Sequence, residues 1–80
     1  MERVDLPHDL ACLQAAWYRT YDALAAPRPA YTTALRRRLH VLSVRLRWHP
    51  YWSRTAVAVP AARAELRRQG RQLRALEGVR

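Results

Sequence analysis

The chain contains no lysine: all fifteen of its basic residues are arginine, and phenylalanine, isoleucine and asparagine are missing too. These four types share AT-rich codons, so a GC-rich genome accounts for the preference for arginine. It does not account for the charge, because Asp, Glu and Ala also have GC-rich codons. Acidic residues are scarce, six in all, which leaves a formal net charge of +9. A lone cysteine, Cys12, excludes an internal disulfide framework and points to a reducing compartment. Two glycines cannot supply a Gly-rich phosphate loop. No apolar run approaches the ~18 residues of a membrane span. The acidic start, with Glu2, Asp5 and Asp9, does not read as a signal or transit peptide. A cytoplasmic location is therefore expected.

The charge that is present is unevenly divided. Residues 1–34 carry three arginines against four carboxylates, whereas residues 35–80 carry twelve arginines against Glu65 and Glu77 alone. A half that basic repels itself when folded, so it is expected to meet a polyanion. Guanidinium groups suit such a role, because they hold phosphate or carboxylate bidentately and stack on aromatic faces.

Eighty residues are expected to form one small domain, near the size at which a single core only just suffices. Oligomerisation or partner binding would supplement its stability. Proline punctuation divides it into three helices, at about 7–25, 32–48 and 60–76. In the first, Pro7 suits an early helical position and Asp5 is a possible cap. Leu6, Leu10, Leu13, Trp17, Tyr21 and Leu24 form its apolar face. The APRPA segment, Ala26–Ala30, makes a short rigid turn and implies an antiparallel return.

The second helix is capped by Thr32 or Thr33 and has two apolar stripes. Leu35, Leu39, Leu42 and Leu46 form the main one; Val41, Val44 and Trp48 lie nearly opposite. Two such sides predict a helix sandwiched in the middle, its second stripe meeting the third helix or another copy of the chain. On this reading Trp48 is buried. His49-Pro50 ends the helix, and an aromatic connection follows in which Val57 and Val59 form at most a brief extended piece. Pro60 opens the third helix, with Ala62, Leu66, Leu73 and Leu76 inward. Gly70 either kinks or caps it; the leucines keep phase across the glycine, which favours one continuous helix. The expected fold is all-α: an antiparallel helical hairpin plus a third, amphipathic, Arg-rich helix.

The third helix carries the strongest functional signal. Arg63, Arg67, Arg71 and Arg74 recur at steps of four, four and three, flanked by Arg68, and form a ladder able to meet successive phosphates. The plain alternative is a solvated basic face. Arg36 and Arg47 share a flank of the second helix with His40 and are expected to reinforce the ladder. In Arg45–Arg54, Tyr51 and Trp52 interleave with arginines, as on surfaces that stack bases and neutralise phosphates, or else they seal a small core.

His8 and Cys12 have a spacing that can hold a metal, but no CxxC, HExxH or paired histidines accompany them. Cys12 is expected to be a small buried hydrophobe, and neither a metal nor another cofactor is expected. Ser43 and Ser53 lack a catalytic context, so no enzyme is expected. The connection after Trp48 is far longer than the turn of a helix-turn-helix reader. The function expected is that of a non-catalytic accessory protein binding nucleic acid, DNA or RNA, through phosphate contacts. The rival is a protein–protein module that docks an acidic partner or self-associates through Val41, Val44 and Trp48. A basic amphipathic third helix on an anionic membrane is a third option, weakened by its lack of bulky interfacial residues.

Overall fold

The computed structural model of the protein describes residues 5–54 and 59–77. It contains α1 (His8–Ala25), α2 (Thr32–Arg47), a single turn α3 (Tyr51–Arg54) and α4 (Val59–Glu77). No strand occurs among the described residues. Val57 lies outside them, and Val59 begins α4 rather than extending as a strand.

The helix ends follow from local chemistry. Pro7 stands at the N-terminal boundary of α1 with no side-chain cap, so Asp5 does not fill that role, while Asp9 occupies the first turn. There its carboxylate meets the positive end of the helix dipole. α1 stops where Ala26 becomes extended (ψ 148°), as the residue before Pro27 must. Neither Thr32 nor Thr33 caps α2. Its boundary residue is Tyr31, held in the left-handed region (φ 56°, ψ 41°), with its carbonyl accepting from Leu35 N at 2.9 Å. Thr32 Oγ1 reaches back to Pro29 O at 3.5 Å instead. Trp48 closes α2 by donating its N–H to Val44 O, and Pro50 prevents continuation.

The fold is a small all-α domain of three helices, with α1 and α2 as an antiparallel hairpin. Trp17 on α1 meets Ser43 on α2, and Asp9 near the start of α1 meets His49 beyond the end of α2. α4 runs in the same sense as α1: Gly70 packs on Gln14 and Tyr18, and Arg74 further along reaches Asp22.

α1, not α2, is the central helix, which corrects the expectation from the sequence. It packs along both α2 and α4, which make little contact with each other. The second stripe of α2 is not buried: Val41 and Val44 are exposed, and Trp48, expected to be buried, is 73% exposed, with Val44 and Trp48 bordering an open depression beside Cys12, Leu13 and Ala16 of α1. Instead the indole of Trp48 lies beside its own helix, with the Arg47 guanidinium 5.6 Å from the ring centre.

The core is small and rich in alanine, comprising Leu10, Ala11, Ala15, Ala16, Leu42, Ala62 and Leu66. Thr20 is buried with it and donates its hydroxyl to Ala16 O. α4 continues unbroken through Gly70, which is buried at the α1 crossing. The glycine serves close approach, neither a kink nor a cap: any Cβ there would collide with Gln14 Cγ and stand 2.9 Å from Gln14 Cβ.

On the exposed face of α4, Glu65 accepts a two-point hydrogen bond from Arg68 and another from Gln69. These bonds, Arg68's first, hold its carboxyl down at about 2, below the usual 4.5. The stabilisation from that depressed carboxyl is therefore complete above pH 4.5 and is lost as pH falls toward 2. Helicity followed by circular dichroism should decline across that window, and Glu65→Gln should flatten its share of the decline. An unchanged acid limb in that variant would show that the pair contributes nothing.

Candidate nucleic-acid interface

Because α2 and α4 flank α1 without closing over it, one face of α1 is left as the floor of an open groove of about 560 Å³. Gln14, Trp17 and Tyr18 form the floor, with Leu66 at its edge. Ser43, Leu46 and Arg47 of α2, with Trp52 of α3, make one wall; Arg63 and Arg67 of α4 make the other. Three guanidiniums thus stand around an aromatic floor.

Both indoles at the groove are fixed by a hydrogen bond. Trp17 Nε1 donates to Ser43 Oγ at 2.9 Å, and Ser43 in turn donates to Leu39 O at 2.7 Å. Trp52 Nε1 donates to Leu46 O at 2.6 Å across the elbow. The elbow itself is stiffened by Trp52 N to His49 O, Ser53 N to Pro50 O, and His49 Nδ1 accepting from Tyr51 N at 3.1 Å. With Nδ1 an acceptor, the Nε2–H of His49 donates to Asp9 Oδ2 at 2.9 Å and pins the elbow to the start of α1. That bond is the main reason the Asp9 carboxyl sits below its ordinary range.

Trp52 therefore both closes the elbow and borders the groove. Its indole is half-buried and seals the elbow, while its ring faces the groove with the Arg63 guanidinium 5.6 Å from its centre. Tyr51, also half-buried, packs edge-on to Trp52 at 5.3 Å and does not line the groove.

The arginine ladder divides. Arg63, Arg67 and Arg71 are exposed and unpaired among the described residues, the first two lining the groove. Arg74 is diverted to α1. Its Nε lies 3.4 Å from Asp22 Oδ2, buried and without hydrogen-bond geometry, and its other end shares Glu77 with Arg19. Arg68 turns to the opposite flank and its Glu65 pair. On α2, Arg36, His40, Ser43 and Arg47 recur at steps of four, three and four, so they share one flank. Ser43 and Arg47 open onto the groove. Val41, Val44 and Trp48 do not line it; Val44 and Trp48 border a separate open depression shared with Cys12, Leu13 and Ala16 of α1.

The floor residues Trp17 and Tyr18 are what sequence reasoning missed as site components. Their signal was an aromatic run, Trp17, Tyr18 and Tyr21, on a helix expected to have only one buried side. Behind the groove, Cys12 is exposed rather than buried, with its sulfur 3.3 Å from His8 Nε2. Its side of α1 borders Leu42, Val44 and Trp48 across one open depression and Leu73 and Leu76 across another. Among the described residues no three His, Cys, Asp or Glu side chains converge as a metal site. None of the described helices is long and apolar enough to cross a membrane.

No curated protein and no solved structure matches this chain. Residues 9–69 match a family of domains of unknown function, DUF8825, and the chain belongs to that family.

Proposed function

We propose that the protein is a non-catalytic accessory protein that binds nucleic acid in the groove between α2 and α4. The observation that carries this reading is the convergence of two arginine flanks, one from each helix, on an aromatic floor. Arg47, Arg63 and Arg67 would neutralise phosphates, with Arg36 and Arg71 extending the same flanks along the helices. Such contacts give affinity that is salt-dependent and largely indifferent to sequence. The net charge of +9 supports the same partner, since it concentrates a polyanion near the surface before contact.

Titrating labelled DNA and RNA at two ionic strengths tests the reading. Affinity should fall steeply as salt rises, by about 0.7 log units per tenfold salt for each phosphate contact on a single strand. Protein that ignores both polymers at low salt removes it.

A second reading draws on the apolar stripe of α2 in which Val41, Val44 and Trp48 are all exposed. That strip fits a protein contact, either an acidic partner or a second copy. Light scattering across a concentration series separates the second copy from the first reading, because nucleic-acid binding predicts no concentration-dependent mass.

A further inference from the structure

The chemistry left free at the groove's two indoles is that of ring faces, not ring edges. Both indole N–H groups are already committed, Trp17 to Ser43 Oγ and Trp52 to Leu46 O. Indole has no other donor, so neither ring can read a base edge; each offers only π-surface. Trp17 stacks nearly parallel on Tyr21, one turn further along α1, with centroids 5.3 Å apart and 9° between planes. Tyr21 remains 51% exposed. The stack therefore runs from the groove-lining Trp17 to a half-exposed ring one helical turn beyond it.

We infer that the groove takes a single, unpaired nucleic-acid strand in preference to a duplex, with bases continuing the Trp17–Tyr21 stack and phosphates held between Arg47 and the Arg63/Arg67 pair. The inference rests on the nucleic-acid reading above and narrows its substrate. In a duplex each base face is covered by its neighbours, so only an unpaired strand can lay a base on a protein ring. The floor is one helix wide, about 10 Å, with guanidiniums on both sides, which places one strand's backbone within reach of both walls. Stacking of this kind tolerates every base, since each has a π-face. It agrees with a groove whose indole donors are already used within the protein.

Tyr21 gives the test, because its half-exposed ring makes its removal mild for the fold. An oligothymidylate of about 12 nucleotides, within the span of one small-domain site, is compared by fluorescence anisotropy with a duplex of the same length. The strand should bind at least about 10-fold more tightly than the duplex, and should quench tryptophan emission. Tyr21→Ala should weaken the strand about 10-fold while leaving the duplex unchanged, and Tyr21→Phe, which keeps the stack, should bind as the parent does. Circular dichroism on both variants confirms an intact fold. Equal affinity for strand and duplex, or a Tyr21→Ala protein that binds the strand as well as the parent, overturns this inference and leaves general polyanion binding standing. Failure to bind either polymer takes the broader reading with it.

Discussion

Gly70→Leu is expected to cost about 3 kcal/mol or more, and Gly70→Ala a net of about 1 kcal/mol, although both residues are better helix formers than glycine. Two effects oppose each other. Alanine in a helix interior gains about 1 kcal/mol over glycine. Against this, the added methyl would overlap Gln14 Cγ, stand 2.9 Å from Gln14 Cβ and press Tyr18 Cε2 at 3.3 Å. Gln14 is buried, and its Cβ is fixed to the α1 backbone, so the strain cannot be relieved by swinging a side-chain tip. Overpacking of this kind costs typically about 1–3 kcal/mol. For a domain of this size 1 kcal/mol moves the melting temperature by about 4–8 °C, so thermal melts resolve the alanine variant. Gln14→Ala removes the Cγ collision but leaves the Cβ approach, and should rescue Gly70→Ala in part, a coupling that a double-mutant cycle measures. A Gly70→Ala protein that melts higher than the parent would mean the helices do not meet at this glycine.

That glycine also marks the limit of what sequence patterning could tell about the packing. Proline positions and leucine spacing were enough to place all three long helices close to where they lie, because both are local constraints on backbone and burial. They pointed to the wrong central helix. α1 announces its leucine and tryptophan face but hides its second one. Ala11, Gln14, Ala15 and Tyr18 lie on the side that meets α4, and two of these four are alanine. Small residues give little hydrophobic signal, yet they allow α4 to come close enough that Gly70 is required. The valines and tryptophan of α2 did the opposite, reading as a buried stripe although no helix covers them. Exposed apolar residues are common on small domains, so a stripe alone does not identify a neighbour.

The candidate site was legible in part for the same reason. Steps of four along α4 aligned Arg63, Arg67 and Arg71 correctly, because helix geometry alone decides which residues share a flank. Whether a guanidinium on that flank is free depends on what stands across from it. Asp22, far away in sequence, captures Arg74, and only the parallel packing of α4 on α1 brings them together. The aromatic run of α1 was visible, but not its place as a floor, since that floor exists only where α2 and α4 fail to meet.

Converting Arg47, Arg63 and Arg67 together to glutamine should reduce nucleic-acid affinity roughly 1,000-fold or more at low salt, given at least about 1.5 kcal/mol per lost contact to a charged group. The slope of log affinity against log salt should become shallower by about 2, the share of three single-strand phosphate contacts. Removing charge anywhere weakens a polyanion's attraction, so the comparison that decides the matter is a second triple variant with the same loss of charge. Arg37, Arg38 and Arg45 suit this purpose. They lie on the sides of α2 away from the groove, and none is ion-paired among the described residues. Their conversion to glutamine should lower affinity through the long-range field alone, with little change in slope. Loss of the Arg63–Trp52 contact adds about 0.5–1 kcal/mol to the cost of the first variant, an amount that thermal melts can set apart from the binding defect. If the two triples weaken binding equally and share one slope, the attraction is spread over the whole basic half and the groove has no privileged part in it. If only the groove triple flattens the slope, phosphates are released from those three side chains, because counterion release counts contacts rather than net charge.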